Sequence, residues 1–97
     1  MAQDQWEYMT EFIWAGIENQ EVKEFIEARW PNFKPGKYSP ESMIPALNMR
    51  GEDGWELVSI QPVFVGSNSD VVLPSAGGNS NYYTHTYFCA FKRRINP

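Results

Sequence analysis

The chain is expected to fold as α+β: a three-stranded, mainly antiparallel sheet packed by one or two helices. Three observations carry this expectation. Aromatic and β-branched residues gather near both ends, in Trp6–Trp14 and in 81–94, as strands require. Between them lie two stretches with apolar residues at helical spacing, 19–30 and 39–51. A third strand-like run, 55–65, follows the second helix, so the order reads β-α-α-β-β.

Each element has its own signal. In Trp6–Trp14, the residues Trp6, Tyr8, Phe12 and Trp14 occupy the even positions, the period-two pattern of a strand with a core-like face. Asn19 is a suitable N-cap for the first helix, Glu21 lies in the first turn, and Val22, Phe25 and Ile26 supply the apolar stripe. Pro31 stops that helix. The second helix opens with Ser39 as N-cap and Pro40 at the first helical position, and carries Met43, Ile44 and Leu47. Pro45 falls early, where a missing N–H costs least, and Gly51 is expected to close the helix as a left-handed cap. In 55–65 apolar residues occupy both parities, and Pro62 implies a bulge or an edge. The segment 66–80 reads as a long loop in which 71–73 is able to form a short strand. The last strand, 81–94, pairs with the first, giving the order 1-3-2.

Length and composition set limits. The 97 residues fit one domain, 1–97, able to bury roughly two-thirds of the surface of its unfolded form. With 42% hydrophobic and 15% aromatic residues, disorder is not expected. A net charge of −4 disfavours binding to a phosphate backbone, so no nucleic-acid partner is expected. No stretch approaches the ~18 apolar residues of a membrane helix, so no membrane partner is expected either. Cys89 stands alone, and no N-terminal signal pattern occurs, so a reducing, cytoplasmic setting is expected.

Charge is distributed unevenly. Residues 1–27 hold seven acids and one lysine, whereas Lys92, Arg93 and Arg94 stand together near the end. Antiparallel pairing of the first and last strands is expected to set Glu7 and Glu11 against Lys92 and Arg94. That register assigns Met9, Ile13, Val58, Ile60 and Phe88, with Ala90, to the face of Glu7. It assigns Trp6, Tyr8, Phe12, Trp55, Leu57, Tyr87, Cys89 and Phe91 to the other face. Both faces are then apolar, and one helix covers about one of them. The face of Met9, Ile13, Val58, Ile60 and Phe88 becomes the candidate oligomer interface, with a dimer as the first expectation.

Three segments, taken together, resemble a known family. They are Trp6-Glu7-Tyr8, the run Leu47-Asn48-Met49-Arg50-Gly51-Glu52-Asp53-Gly54-Trp55-Glu56-Leu57-Val58, and Phe91-Lys92-Arg93. They resemble the pattern W-E-Y, L-N-x-x-G-x-x-G-W-E-L-V, F-K-R of a small bacterial family classed as a domain of unknown function, number four-one-seven-seven. Against that pattern, 17–38 and 66–80 look like insertions on a shorter β-α-β-β core. The resemblance implies a fold and brings no activity, cofactor or site residue. Physically, G-x-x-G-W follows a helix C-terminus, whose dipole repels anions, so its glycines serve a turn and not a phosphate.

The residues that could carry chemistry are few. His85 is the only histidine, and Asp70 or Glu56 could orient it, but no nucleophile stands at a useful spacing. One histidine and one cysteine do not make a metal site, and no cofactor is expected. The expected function is a non-enzymatic, self-associating interaction or regulatory module. The alternative is a small-ligand-binding protein or small enzyme with a site under the 66–80 loop, near Asp70, Tyr83 and His85.

Overall fold

The structure is a computed structural model that describes residues 3–73 and 83–95. Its elements run β1 (Trp6–Trp14), α1 (Gln20–Arg29), a 3-10 turn (Pro40–Met43), α2 (Ile44–Glu52), β2 (Glu56–Pro62), β3 (Phe64–Val65), β4 (Val71–Val72) and β5 (Thr86–Arg94). The main sheet is antiparallel with the order β1-β5-β2, which is the expected 1-3-2. β3, the end of the run 55–65 read as one strand, and β4, the short strand allowed for at 71–73 of the loop segment, form a separate two-stranded ribbon; residues 74–80 lie outside the described residues.

The helices follow their caps. The Asn19 side chain accepts from the Glu21 N–H at 2.7 Å and the Val22 N–H at 3.4 Å, opening α1. α1 packs against the 3-10 turn and buries only Ile26 among its own residues. The second helical segment begins tighter than expected. Pro45 has no N–H to give the Glu41 carbonyl, so the first turn is 3-10, closed by the Ile44 N–H to that carbonyl, and the α-helix starts at Ile44. Ser39 does not cap this turn. Its hydroxyl donates to the Glu41 carboxylate, which holds that carboxyl below its usual range.

The C-terminus of α2 corrects the expectation for Gly51, which lies inside the helix. The left-handed residue is Gly54, at φ +90°. The Gly54 N–H donates to the Gly51 carbonyl at 2.9 Å and the Trp55 N–H to the Arg50 carbonyl at 3.0 Å, the paired bonds of a Schellman cap. A Cβ on Gly54 would also meet the Arg93 side chain at 3.3 Å. Gly54→Val is therefore expected to cost about 1–3 kcal/mol, whereas Glu52→Ala, at an exposed position, leaves the thermal melt nearly unchanged. Equal melting temperatures would show that the cap contributes nothing.

The largest correction concerns register. β1 and β5 pair with Glu7 opposite Arg93, Met9 opposite Phe91, Glu11 opposite Cys89 and Phe12 opposite Phe88. This is one residue away from the pairing expected from charge, and a slip of one moves every side chain to the other face. Glu7 pairs with Arg93, not Lys92 or Arg94, and Glu11 is held by Arg50 of α2 through two bonds of 2.9 and 2.7 Å. Glu7, Met9, Glu11 and Ile13 thus share a face with Tyr87, Cys89, Phe91 and Arg93. That face carries the core: Ile13, Ala15, Met43, Cys89 and Phe91, with Met9, Ala46, Leu47, Trp55 and Tyr87 packed on them.

The candidate interface consequently falls apart. Met9 and Ile13 lie in or against the core under the helical segments, and Phe88 is on the opposite face. Val58 sits at a bulge between Leu57 and Ser59, while Pro62 ends β2 on the edge of the sheet, the second of the two alternatives expected there. Ile60 shares the face of Cys89 but is 42% exposed. The corrected register has a direct test. Glu7→Lys should lower stability, and a second change of Arg93→Glu should restore part of it, while Lys92→Glu should restore none. Recovery through Lys92 instead would return the pairing to the one expected from sequence. The effect should shrink in high salt, since both partners are partly exposed.

Candidate functional site

The face of the sheet opposite the helices is the feature that stands out. β1 contributes Trp6, Tyr8, Thr10, Phe12 and Trp14 to it, and β5 contributes Phe88, Ala90 and Lys92. β2 adds Glu56, Ser59 and Gln61. The aromatic alternation of β1 places these rings there, because period two sends every even residue to one side. Phe12 packs on Phe88 edge-on at 5.7 Å between centroids and on Trp14 at 6.2 Å. Lys92 lies over the Trp6 ring at 4.4 Å. Tyr8 remains 70% exposed and Trp14 56%. Neither helix makes its main contacts here: α1 packs on the 3-10 turn, and α2 on that turn and β2.

The charges around this face are satisfied within the chain. Lys92 pairs with Glu56 at 3.9 Å, Arg94 with Asp4 at 2.6 Å, and Arg93, on the reverse side, with Glu7. The basic triplet is thus absorbed by acids of the same chain, and Arg93 also stacks on Trp55 at 4.2 Å. The open face is an aromatic surface with a neutralised rim.

The second set of candidates, Asp70, Tyr83 and His85, is not brought together. The Asp70 carboxylate accepts from the Asn68 N–H at 3.2 Å, and the Asp70 carbonyl accepts from the Gly66 N–H at 2.8 Å, so Asp70 shapes the β3–β4 turn. His85 stacks on Tyr38, ring to ring, at 4.2 Å and 17°. Tyr83 is 80% exposed. His85 and Tyr38 instead border a shallow groove of about 310 Å³ with Trp14, Gly16, Glu18 and Lys37. Lys37 and Glu18 pair across it at 3.5 Å in solvent. Tyr38 was missed from the sequence, since a lone tyrosine in a Pro/Gly-rich connector carries no periodic signal.

Cys89 is fully buried, and burial pushes its thiol up from 9.0 to about 11. It is a core residue and not a nucleophile. At pH 8 a maleimide should label it only through unfolding, and denaturant should release the reaction. Rapid labelling under native conditions would contradict its burial. The unfolded thiol ionises near 9.0 and the folded one near about 11, so the stability tied to this group is intact below pH 9.0 and is lost as pH rises through 11.

Among the described residues, no three His, Cys, Asp or Glu side chains gather as a metal site, and no helix is long and apolar enough to cross a membrane. No protein-family model matches the chain, and no curated protein and no solved structure matches it.

Proposed function

We propose that this protein is a non-enzymatic interaction module that works as a homodimer, formed when two copies pack their open sheet faces together. The observation that carries this reading is the aromatic face of Trp6, Tyr8, Phe12, Trp14 and Phe88, which no described element of the same chain covers. A sheet that is apolar on both sides requires a layer on each. The helical segments form one layer, and a second sheet packed face to face forms the other.

A second copy suits this surface better than a charged partner. The rim charges are already paired within the chain, so the face offers neither a basic groove for a phosphate backbone nor an unpaired acid for a cationic one. β1 and β5 have nine residues and β2 seven, so the face is about 30 Å long and roughly 14 Å across. Two such faces together bury on the order of 800 Å², the size of a weak, reversible association. The resemblance to the domain-of-unknown-function family, with the bacterial setting it implies, belongs to the same proposal and adds no activity to it. A reducing, cytoplasmic location is likewise proposed, from a chain whose one cysteine is a buried thiol.

Sedimentation equilibrium of the wild-type chain tests the reading. It should sediment as a dimer or a multiple of one at micromolar concentration, and a Thr10→Lys chain, charged in the middle of the face, should sediment lighter. A wild type that stays monomeric across the accessible concentrations would overturn it.

A further inference from the structure

A groove of about 310 Å³ runs between α1 and the connector that follows it. Its apolar lining includes Ile17, Phe33 and the buried Ile26, and its charged members are Lys23, Glu27 and Lys34, all exposed. The walls are held in place. The Ile17 N–H donates to the Lys37 carbonyl at 3.1 Å and the Phe33 N–H to the Trp30 carbonyl at 3.0 Å. The Phe33 ring meets Trp30 edge-on at 6.4 Å between centroids. The cations single this groove out. The chain has eight lysines and arginines against twelve acids. Lys37, Arg50, Lys92, Arg93 and Arg94 each pair with an acid, and Arg29 lies over the Phe25 ring at 5.2 Å. Lys23 and Lys34 are the two with neither kind of partner among the described residues. One stands on α1 and the other on the connector, yet both line the same groove.

We infer that this groove binds a small amphipathic monoanion, a carboxylate on a short aliphatic tail. The tail lies on Ile17, Ile26 and Phe33, and Lys23 and Lys34 take the carboxylate. Charge selects this class. Two ammonium groups and the Glu27 carboxylate leave one positive charge at the groove, which matches a single negative charge. A phosphate dianion would exceed it and is better held by the fork of an arginine, and the Arg29 guanidinium is committed to Phe25. Size selects it too, since the volume is at the lower end of ligand pockets, about 300–1,000 Å³, and admits only a short tail. The C-terminal end of α1 disfavours an anion, but Arg29 in the last turn offsets it, and the Ile26 carbonyl accepts from the Trp30 N–H at 2.8 Å. None of these residues belongs to the aromatic sheet face, so the inference is independent of the proposed dimer.

Titration of the isotope-labelled protein with sodium octanoate, at constant ionic strength and followed by backbone amide NMR shifts, tests this. Octanoate should move the amides of 17, 23–27 and 31–35 saturably. Acetate has the head without the tail, and octylammonium has the tail with the opposite charge. Each should bind at least about tenfold more weakly than octanoate. In a Lys23→Gln/Lys34→Gln chain the octanoate affinity should fall about tenfold, and in a Glu27→Gln chain it should rise about threefold. All three positions are exposed, so the variants keep the fold, which the unshifted remainder of the spectrum verifies. Octylammonium that binds as tightly as octanoate, or a double variant that binds octanoate unchanged, overturns the role of the lysines and with it the inference. Acetate that titrates the same amides as tightly overturns the apolar half. Shifts confined to the sheet face, or a response lost in Thr10→Lys, assign the ligand to the aromatic face and overturn the groove. Binding retained in Thr10→Lys shows that the groove stands without the dimer.

Discussion

Phe91→Ala should lower stability by about 3–5 kcal/mol, the cost of removing a large buried ring whose site collapses only in part. Phe91 is 1% exposed and sits on the central strand, with Met9 opposite it in β1 and Leu57 in β2. It belongs to the cluster of Ile13, Ala15, Met43 and Cys89, so the cavity opens beneath both the sheet and the helical segments. A domain of this size holds roughly 5–15 kcal/mol in total. The melting temperature should therefore fall by on the order of 20 °C. Phe88→Ala supplies the contrast. Phe88 lies three residues away on the same strand but on the open face, half-buried. Measured where association is absent, it should cost clearly less. Equal losses in calorimetry would mean that the two phenylalanines share an environment and that the register is wrong.

Thr10→Lys should weaken self-association by about 30-fold or more, because a charge buried without a partner at an apolar interface costs 2 kcal/mol or above. Thr10 is exposed and stands mid-strand opposite Ala90, with Tyr8 and Phe12 as its same-face neighbours on β1. In a monomer the new ammonium simply points into water, so the melt of the dilute variant should match the wild type. Trp14→Ala reaches the same interface by a different route. It removes an aromatic anchor that is 56% exposed in the single chain and should also cost about 2 kcal/mol of association. Analytical ultracentrifugation over a concentration series reads both. A dissociation constant unchanged in both variants would remove the aromatic face from the assembly.

Much of the architecture was legible from the residues alone. Alternating aromatics marked β1, Asn19 and Pro31 bounded α1, and the G-x-x-G-W run marked a helix end turning into a strand. The sheet order followed from strands at the two ends of a chain with helices between them. Pro62 was legible as an edge signal, and β2 is an edge strand. The basic triplet was legible as ion-pair material, and all three of its members pair with acids of the same chain.

What the sequence by itself determined was the set of main elements, β1, α1, α2, β2 and β5, and their order. Which face remains open was decided only by the tertiary structure. The reason lies in β5 and β1. β5 carries Phe88 and Ala90 on one parity and Cys89 and Phe91 on the other, so its pattern fits either register. Glu7 finds a cation opposite it in either register, because Lys92, Arg93 and Arg94 are consecutive, and charge count alone does not choose. The choice comes from outside the strands. Arg50, at the last turn of α2, takes Glu11 in a two-bonded pair, and Arg93 is wedged between Glu7, Trp55 and the Asp53 carbonyl next to the Gly54 turn. Those contacts join residues 39, 40 and 86 positions apart along the chain, a separation no local period encodes. They turn Met9, Ile13 and Phe91 inward and leave Trp6, Tyr8, Phe12 and Trp14 facing out.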